Sequence, residues 1–328
     1  MLFITNRLPK GSWVTTAGRQ FTFDLKNNTP STSMYFCEYN ENKKSSIELG
    51  SAMFLNKVKS ATQKQIVLYI HGFSNLPDMA FKAAKEFQDL CNLELENEVL
   101  VIPLIWPCDD DPGIIKDYWD DEIAADASNT AFARVLARFL DWRNSNQADN
   151  DLCTKRINVV AHSMGNRVLR GAINTWQKQF ASNGVPLMFR NTFLIAADIE
   201  NDSLEYHALG EGICSASKNV VVYYAADDFA LGASKVANRK FTHRLGHLGP
   251  REMGLVPKNV FSVNCDQVNN RYDNPKGHSY FRYADNESNS PSTPGIVFKH
   301  IFSCIYSGRV DALTLNNRDV YIEDVTDN

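Results

Sequence analysis

The chain has 328 residues, 44% of them hydrophobic and 22% charged, which suffices to bury the core of one large domain. Its 34 basic and 38 acidic side chains leave a formal charge of −4, without the basic footprint of a nucleic-acid binder. No apolar run approaches the ~18 residues of a transmembrane segment, no secretory signal opens the chain, and seven scattered cysteines without zinc spacing predict free thiols in a cytoplasmic setting.

The first 60 residues mix short alternating stretches, Gln20-Phe21-Thr22-Phe23 and Met34-Tyr35-Phe36-Cys37, with polar turns. They read as leading strands added to a larger sheet, inside a single domain spanning 1–328. From Gln65 the pattern becomes short apolar runs alternating with helical periodicity. Ile66-Val67-Leu68-Tyr69-Ile70 is a buried strand, and Pro77 sits where a helix's first turn accepts proline. Ala80, Phe81, Ala84, Phe87 and Cys91 then share one helical face. A strand at 99–104 precedes a long helix marked by Phe132, Val135, Leu136, Phe139 and Leu140. Strand 157–161 is followed by a helix carrying Val168, Leu169, Ala172, Ile173 and Trp176, then by strands 192–196 and 220–224. Such alternation predicts an α/β fold: a mostly parallel central sheet with helices on both faces. Ligands in such sheets bind beyond the carboxyl ends of the strands.

Directly after the third of these main strands stands Ala161-His162-Ser163-Met164-Gly165. This approximates the G-x-S-x-G nucleophile elbow, in the strand–turn–helix context the motif requires. Small residues are needed two positions either side of the serine because larger ones would collide with neighbouring backbone. Ser163 is therefore the candidate nucleophile; the plainer alternative is a helix-capping serine. Attack on a carbonyl builds charge on oxygen, which needs preorganised N–H donors. Met164, after the nucleophile, and Phe73, in His71-Gly72-Phe73 after an earlier strand, are the expected oxyanion-hole amides. His71 reads as a structural histidine that orients the loop.

The chain order Ser, acid, His directs attention to Ala225-Ala226-Asp227-Asp228 after a later strand. Asp228 is the preferred acid, with Asp227 and Asp198 as alternatives. His243, His247, His278 and His300 follow it. His278, behind a glycine in a polar loop, is the expected base; His300 lies on an apparent helix, and His243 and His247 flank Arg244.

These segments resemble the α/β-hydrolase superfamily and, within it, a bacterial family of esterase-like domains of unknown function. The resemblance rests on Thr5-Asn6-Arg7, His71-Gly72-Phe73, Trp106-Pro107, Ala161 to Asn166, Asp198-Ile199, Asp228-Phe229-Ala230-Leu231, Arg244-Leu245-Gly246 and His278-Ser279-Tyr280. It implies hydrolase chemistry through a Ser-His-Asp triad, with no substrate attached. Members carry serine shortly before the aspartate where this chain has Ala225-Ala226-Asp227, which leaves the choice between Asp227 and Asp228 open.

The expected activity is carboxylic ester hydrolysis on a small-molecule acyl substrate, without cofactor or metal. An amidase, peptidase or acyltransferase on the same triad is the alternative, as is a catalytically silent scaffold used for binding. Asp109-Asp110-Asp111-Pro112-Gly113 lacks EF-hand spacing and reads as a solvated turn. Trp106, Tyr118 and Trp119 are candidates for an acyl-binding wall, with core packing an equal account of Trp106. The stretch 285–295, rich in Asn, Ser and Pro, is an expected mobile loop.

Overall fold

The computed structural model describes residues 1–109, 114–145, 153–180, 184–231, 242–284, 293–310 and 318–322. In chain order the main elements begin with β1 (Leu2–Arg7), β2 (Gln20–Phe21), β3 (Pro30–Asn40), β4 (Ser45–Glu48) and α1 (Ser51–Ser60). Then come β5 (Gln65–Ile70), α2 (Pro77–Glu94), β6 (Val99–Ile105), α3 (Ile114–Ala127), α4 (Asn129–Ser145), β7 (Arg156–His162) and α5 (Gly165–Phe180). The remainder are β8 (Phe189–Ile195), α6 (Glu211–Ala216), β9 (Ser217–Tyr224), β10 (Val260–Asn264), α7 (Ile296–Ser307) and β11 (Asp319–Tyr321).

The described strands form one sheet in the order β11-β10-β9-β8-β7-β5-β6-β1-β3-β4-β2. Every pairing from β11 across to β1 is parallel. The N-terminal strands extend this sheet through antiparallel pairings of β1 with β3, β3 with β4 and β4 with β2.

Period-2 alternation explains why near-continuous apolar runs make these strands. In β5, Ile66 and Ile70 join one core cluster while Val67 and Tyr69 join the cluster on the other face. In β9, Val220 and Val222 face the first cluster, and Val221 and Tyr223 the second. Helices α1, α4 and α5 cover the first face; α2 and α7 supply Phe87, Phe298 and Ile301 to the second. A smaller aromatic cluster of Phe3, Phe21, Tyr35 and Phe81 anchors the N-terminal strands.

Four elements depart from the sequence expectation. The stretch 114–127 is a helix, and the apolar pattern from Phe132 belongs to the separate α4. Ser51–Ser60 is also a helix, inside the stretch read as strands. β10 and β11 were not anticipated; both are short, and β10 follows loops rather than a helix with a clear apolar stripe. Residues 110–113 of the acidic turn and 285–292 of the expected mobile loop lie outside the described residues.

At the N-terminal end of the sheet a row of buried amides crosses four adjacent strands. Asn219 Nδ2 donates to Asn191 Oδ1 at 2.8 Å, and Asn191 Nδ2 to Asn158 Oδ1 at 2.8 Å. Asn158 Nδ2 donates to Gln65 Oε1 at 3.2 Å, and Gln65 Nε2 to Glu98 Oε1 at 2.9 Å. The row exists because the three asparagines are in register across β7, β8 and β9. Its spare N–H groups meet two carbonyls in the last turn of α7, of which that of Cys304 also accepts the Gly308 N–H at 2.8 Å. Gln65 donates to the Ile305 carbonyl at 2.9 Å and Asn191 to that of Cys304 at 3.1 Å.

A connected polar row is stabilising only when its members are satisfied. Asn191→Leu strips Asn158 Oδ1 of its donor and Asn219 of one acceptor. It is expected to lower the unfolding free energy by about 2–4 kcal/mol, measured by urea denaturation; a change under about 0.5 kcal/mol would show the row to be energetically idle.

Candidate active site

Chain direction around the sheet reverses at β5, which pairs with β6 on one side and β7 on the other. The helices that follow β5 and β7, α2 and α5, therefore lie on opposite faces of the sheet, the arrangement in which open α/β sheets bind ligands beyond the strands' carboxyl ends. His71-Gly72-Phe73 leaves β5 there, and Ser163 leaves β7.

Ser163 adopts φ +53°, a left-handed conformation uncommon for a side-chain-bearing residue. The turn is held from both sides. Ser163 N–H donates to the Ile195 carbonyl at 2.9 Å, while the Ser163 carbonyl accepts from Asp198 N–H at 3.2 Å and Asn166 Nδ2 at 3.0 Å. Two glycines make room for it. A Cβ on Gly165 would stand 2.5 Å from the His71 carbonyl oxygen and 2.7 Å from that of Ile70, and one on Gly72 would stand 2.9 Å from Ser163 Cβ. The collision that demands small residues is thus with the end of β5. Ser163 also precedes the first turn of the 16-residue α5, where the helix dipole favours negative charge.

Among the described residues, the backbone amides of Phe73 and Met164 have no hydrogen-bond acceptor, whereas that of Ser74 donates to Asp121 Oδ2 at 2.8 Å. Asn75 Nδ2 holds the same loop by donating to the Gly72 and Phe73 carbonyls, at 3.2 and 2.7 Å. His71 orients the loop from below. It accepts the Trp106 N–H on Nε2 at 3.2 Å, so Nδ1 carries the proton and donates to the Gly72 carbonyl at 2.8 Å. Burial pushes the His71 pKa down to about 4, partly offset by those backbone bonds. Trp106 stacks on this imidazole at 5.3 Å and 6° and is fully buried. Its surface is spent on the core, so it forms no acyl-binding wall; Tyr118 is likewise buried, and Trp119 is exposed.

Asp228 and His278 meet. His278 Nδ1 stands 2.6 Å from Asp228 Oδ2, and Asp228 Oδ1 accepts the Leu231 N–H at 3.0 Å. Burial works against the charged imidazole, but the adjacent Asp228, with Asp198 and Asp273 beyond it, holds the His278 pKa above its ordinary value. The bond to Asp228 leaves Nε2 for proton transfer. Asp273 Oδ2 accepts two successive backbone donors, His278 N–H at 2.8 Å and Ser279 N–H at 2.7 Å, fixing the chain that presents the ring.

His162 ties this loop to the elbow. Its Nε2 donates to the His278 carbonyl at 3.1 Å, with ring centroids 4.8 Å apart, and burial, then the neighbouring His278, drives its pKa well below the usual histidine range. No hydrogen bond joins the Ser163 hydroxyl to the His278 ring in this arrangement. Catalytic hydrogen bonds are often long before substrate binds.

The two alternative acids lie elsewhere. Asp227 is exposed and accepts from Asn269 Nδ2 at 2.6 Å and from Asn270 Nδ2. Asp198 is buried behind the elbow, where it accepts from Tyr118 Oη at 2.6 Å and pairs with Arg244 Nε at 3.1 Å. Of the remaining histidines, His300 bonds Tyr223 at 2.7 Å and His243 is exposed. Among the described residues, no three His, Cys, Asp or Glu side chains are grouped to hold a metal, and no helix is long and apolar enough to cross a membrane.

Sequence reasoning missed Asp121. Its carboxylate is fully buried and accepts from Ser74 N–H, from Asp109 N–H at 3.1 Å and from Asn28 Nδ2 at 3.3 Å. Burial pushes its pKa up to about 6, with the Ser74 and Asp109 amides opposing. No local signal marks it within Trp119-Asp120-Asp121-Glu122.

A parallel sheet flanked by helices, with a positive-φ serine at the switch point, defines the α/β-hydrolase class of folds. The chain belongs to the family described as alpha/beta hydrolase of unknown function (DUF900), whose profile matches residues 48–284. No curated protein matches it. Among solved structures it is similar to phospholipase PlaB from Legionella pneumophila in complex with thio-NAD, at 14% identity and TM-score 0.26, covering 64% of this chain and 39% of that one. It is also similar to a lipase-esterase related protein from Clostridium acetobutylicum, at 10% identity and TM-score 0.26, covering 63% of this chain and 86% of the other. Scores this low establish no shared activity.

Proposed function

We propose that this protein is a serine hydrolase that cleaves carboxylic esters through Ser163, His278 and Asp228. The observation that carries the reading is the 2.6 Å contact between the His278 ring and the buried Asp228 carboxylate, on a loop that His162 bonds to the elbow bearing Ser163.

In this reading, substrate binding at the ends of β5 and β7 completes the bond between the Ser163 hydroxyl and His278 Nε2. The imidazole takes the serine proton as Oγ attacks the acyl carbon, and Asp228 holds the tautomer and stabilises the resulting cation. Charge on the carbonyl oxygen is met by the Phe73 and Met164 amides, aided by the α5 dipole. The tetrahedral intermediate collapses, the departing alkoxide takes the proton from His278, and an acyl-Ser163 ester remains. Water, deprotonated by the same histidine, then releases the acid and restores the serine.

A fluorophosphonate probe tests the nucleophile. The expected result is a single covalent adduct, localised by peptide mass spectrometry to Ser163. An adduct on another residue, or none at all, overturns the assignment.

A further inference from the structure

Thr5-Asn6-Arg7 takes no part in the chemistry proposed above, yet all three residues are fully buried. Their bonds lead to α3. Thr5 Oγ1 donates to the Ile105 carbonyl at 2.7 Å and accepts the Arg7 N–H at 3.0 Å, fixing the end of β1 against β6. Asn6 Nδ2 donates to Ser128 Oγ at 2.8 Å, just past the last residue of α3. The Arg7 guanidinium donates to the Cys108 carbonyl and to Asn28 Oδ1 at 3.4 Å; Asn28 Nδ2 in turn donates to Asp121 and, at 3.1 Å, to Asp109. One tripeptide thus pins both the approach to α3 and its exit.

The same helix reaches both expected oxyanion donors. Asp121 takes the Ser74 amide, immediately beside Phe73. One turn earlier, the Tyr118 ring packs edge-on against Phe73 at 5.8 Å, while its hydroxyl bonds Asp198, whose amide donates to the Ser163 carbonyl. Glu122 and Asp126 pair with Arg167 at 2.5 and 2.7 Å, in the turn where Arg167 N–H donates to the Met164 carbonyl. The loop after β5 and the elbow after β7 belong to different chain segments; α3 bonds the first directly through Ser74 and reaches the second through Asp198 and Arg167.

We infer that α3, pinned by Thr5-Asn6-Arg7, is the brace that fixes the two oxyanion donors relative to each other, and that Asp121 is the positioning residue for the Phe73 amide. This rests on the serine-hydrolase reading. Asp121 has a donor on each carboxylate oxygen, so Asn in its place turns an NH2 toward one of them and releases either Ser74 or Asp109. A misplaced donor weakens binding of the tetrahedral oxyanion more than binding of the planar ester.

The test uses Asp121→Asn in the full chain, with active sites counted by fluorophosphonate titration. Per active site, kcat on a nitrophenyl ester is expected to fall roughly tenfold to a hundredfold, with KM changed less than about threefold. Affinity for a trifluoromethyl ketone, whose adduct carries the oxyanion, should weaken by the same factor as kcat/KM. A purely structural role would lower the number of titratable sites and leave these per-site quantities alone. Per-site kcat within threefold of wild type overturns the inference. If Asp121→Asn does not fold, Tyr118→Phe serves instead: it keeps the ring against Phe73, removes the bond to Asp198, and should lower per-site kcat severalfold at unchanged KM. An unchanged kcat there counts equally against the brace. Failure of the serine-hydrolase reading would look different, because wild type itself would then give no titratable Ser163.

Discussion

Ser163→Ala is expected to lower kcat for nitrophenyl ester hydrolysis by a factor on the order of 10⁵ or more, leaving the fold intact. The size follows from nucleophile loss in triad enzymes, where the remaining groups add little without the attacking oxygen. Substrate affinity should survive, because the backbone of the elbow and of the loop after β5 is unchanged. Alanine occupies the same φ of +53° at similar cost, so thermal unfolding should move by no more than a few degrees. Turnover within tenfold of wild type would remove Ser163 from the mechanism.

Asp228→Asn is expected to cost about 10⁴ in kcat, whereas Asp227→Asn should stay within about fivefold. The two residues are adjacent but differ in what they hold. Asp228 contacts the His278 ring, and Asp227 accepts from the amides of Asn269 and Asn270. The pH dependence separates them further. His278 acts as a base only when neutral, so kcat/KM rises with pH through the His278 pKa. In wild type that pKa lies above the ordinary 6.5 because Asp228 favours the cation. Without that carboxylate the cation is less favoured, so the midpoint of the acid limb should move to lower pH in Asp228→Asn and stay put in Asp227→Asn. The reverse pattern would exchange their roles.

Much of the scaffold was legible locally. Runs such as Ile66 to Ile70 are rich in β-branched side chains and send alternate residues into the two core clusters, as expected of central strands. The elbow was readable because its constraints, a serine between small residues after a buried strand, act over five positions. Which of Asp227 and Asp228 meets His278 was not: it depends on a turn in which Asp228 N–H bonds the Ala225 carbonyl at 3.3 Å and one carboxylate faces inward while its neighbour faces out. α3 escaped notice because its buried face carries Tyr118, Asp121, Ala124 and Ala125 in place of large aliphatic side chains. Asp121 and Arg7 take their meaning from partners far away in sequence, Arg7 and Cys108 being 101 positions apart. Residue-by-residue patterns carry no trace of such pairings.

The amide row beneath α7 also constrains how the chain is assembled during translation. Gln65 hydrogen-bonds the carbonyl of Ile305, 240 residues later. A ribosome therefore releases most of the central strands well before the segment that seals them. Until α7 emerges and docks, the nascent domain holds a polar seam and the bare apolar face where Val297, Phe298 and Ile301 will pack. Long-range closures of this kind slow folding and leave intermediates open to aggregation. Docking of α7 is thus a late event in the assembly of this sheet, with β11 later still.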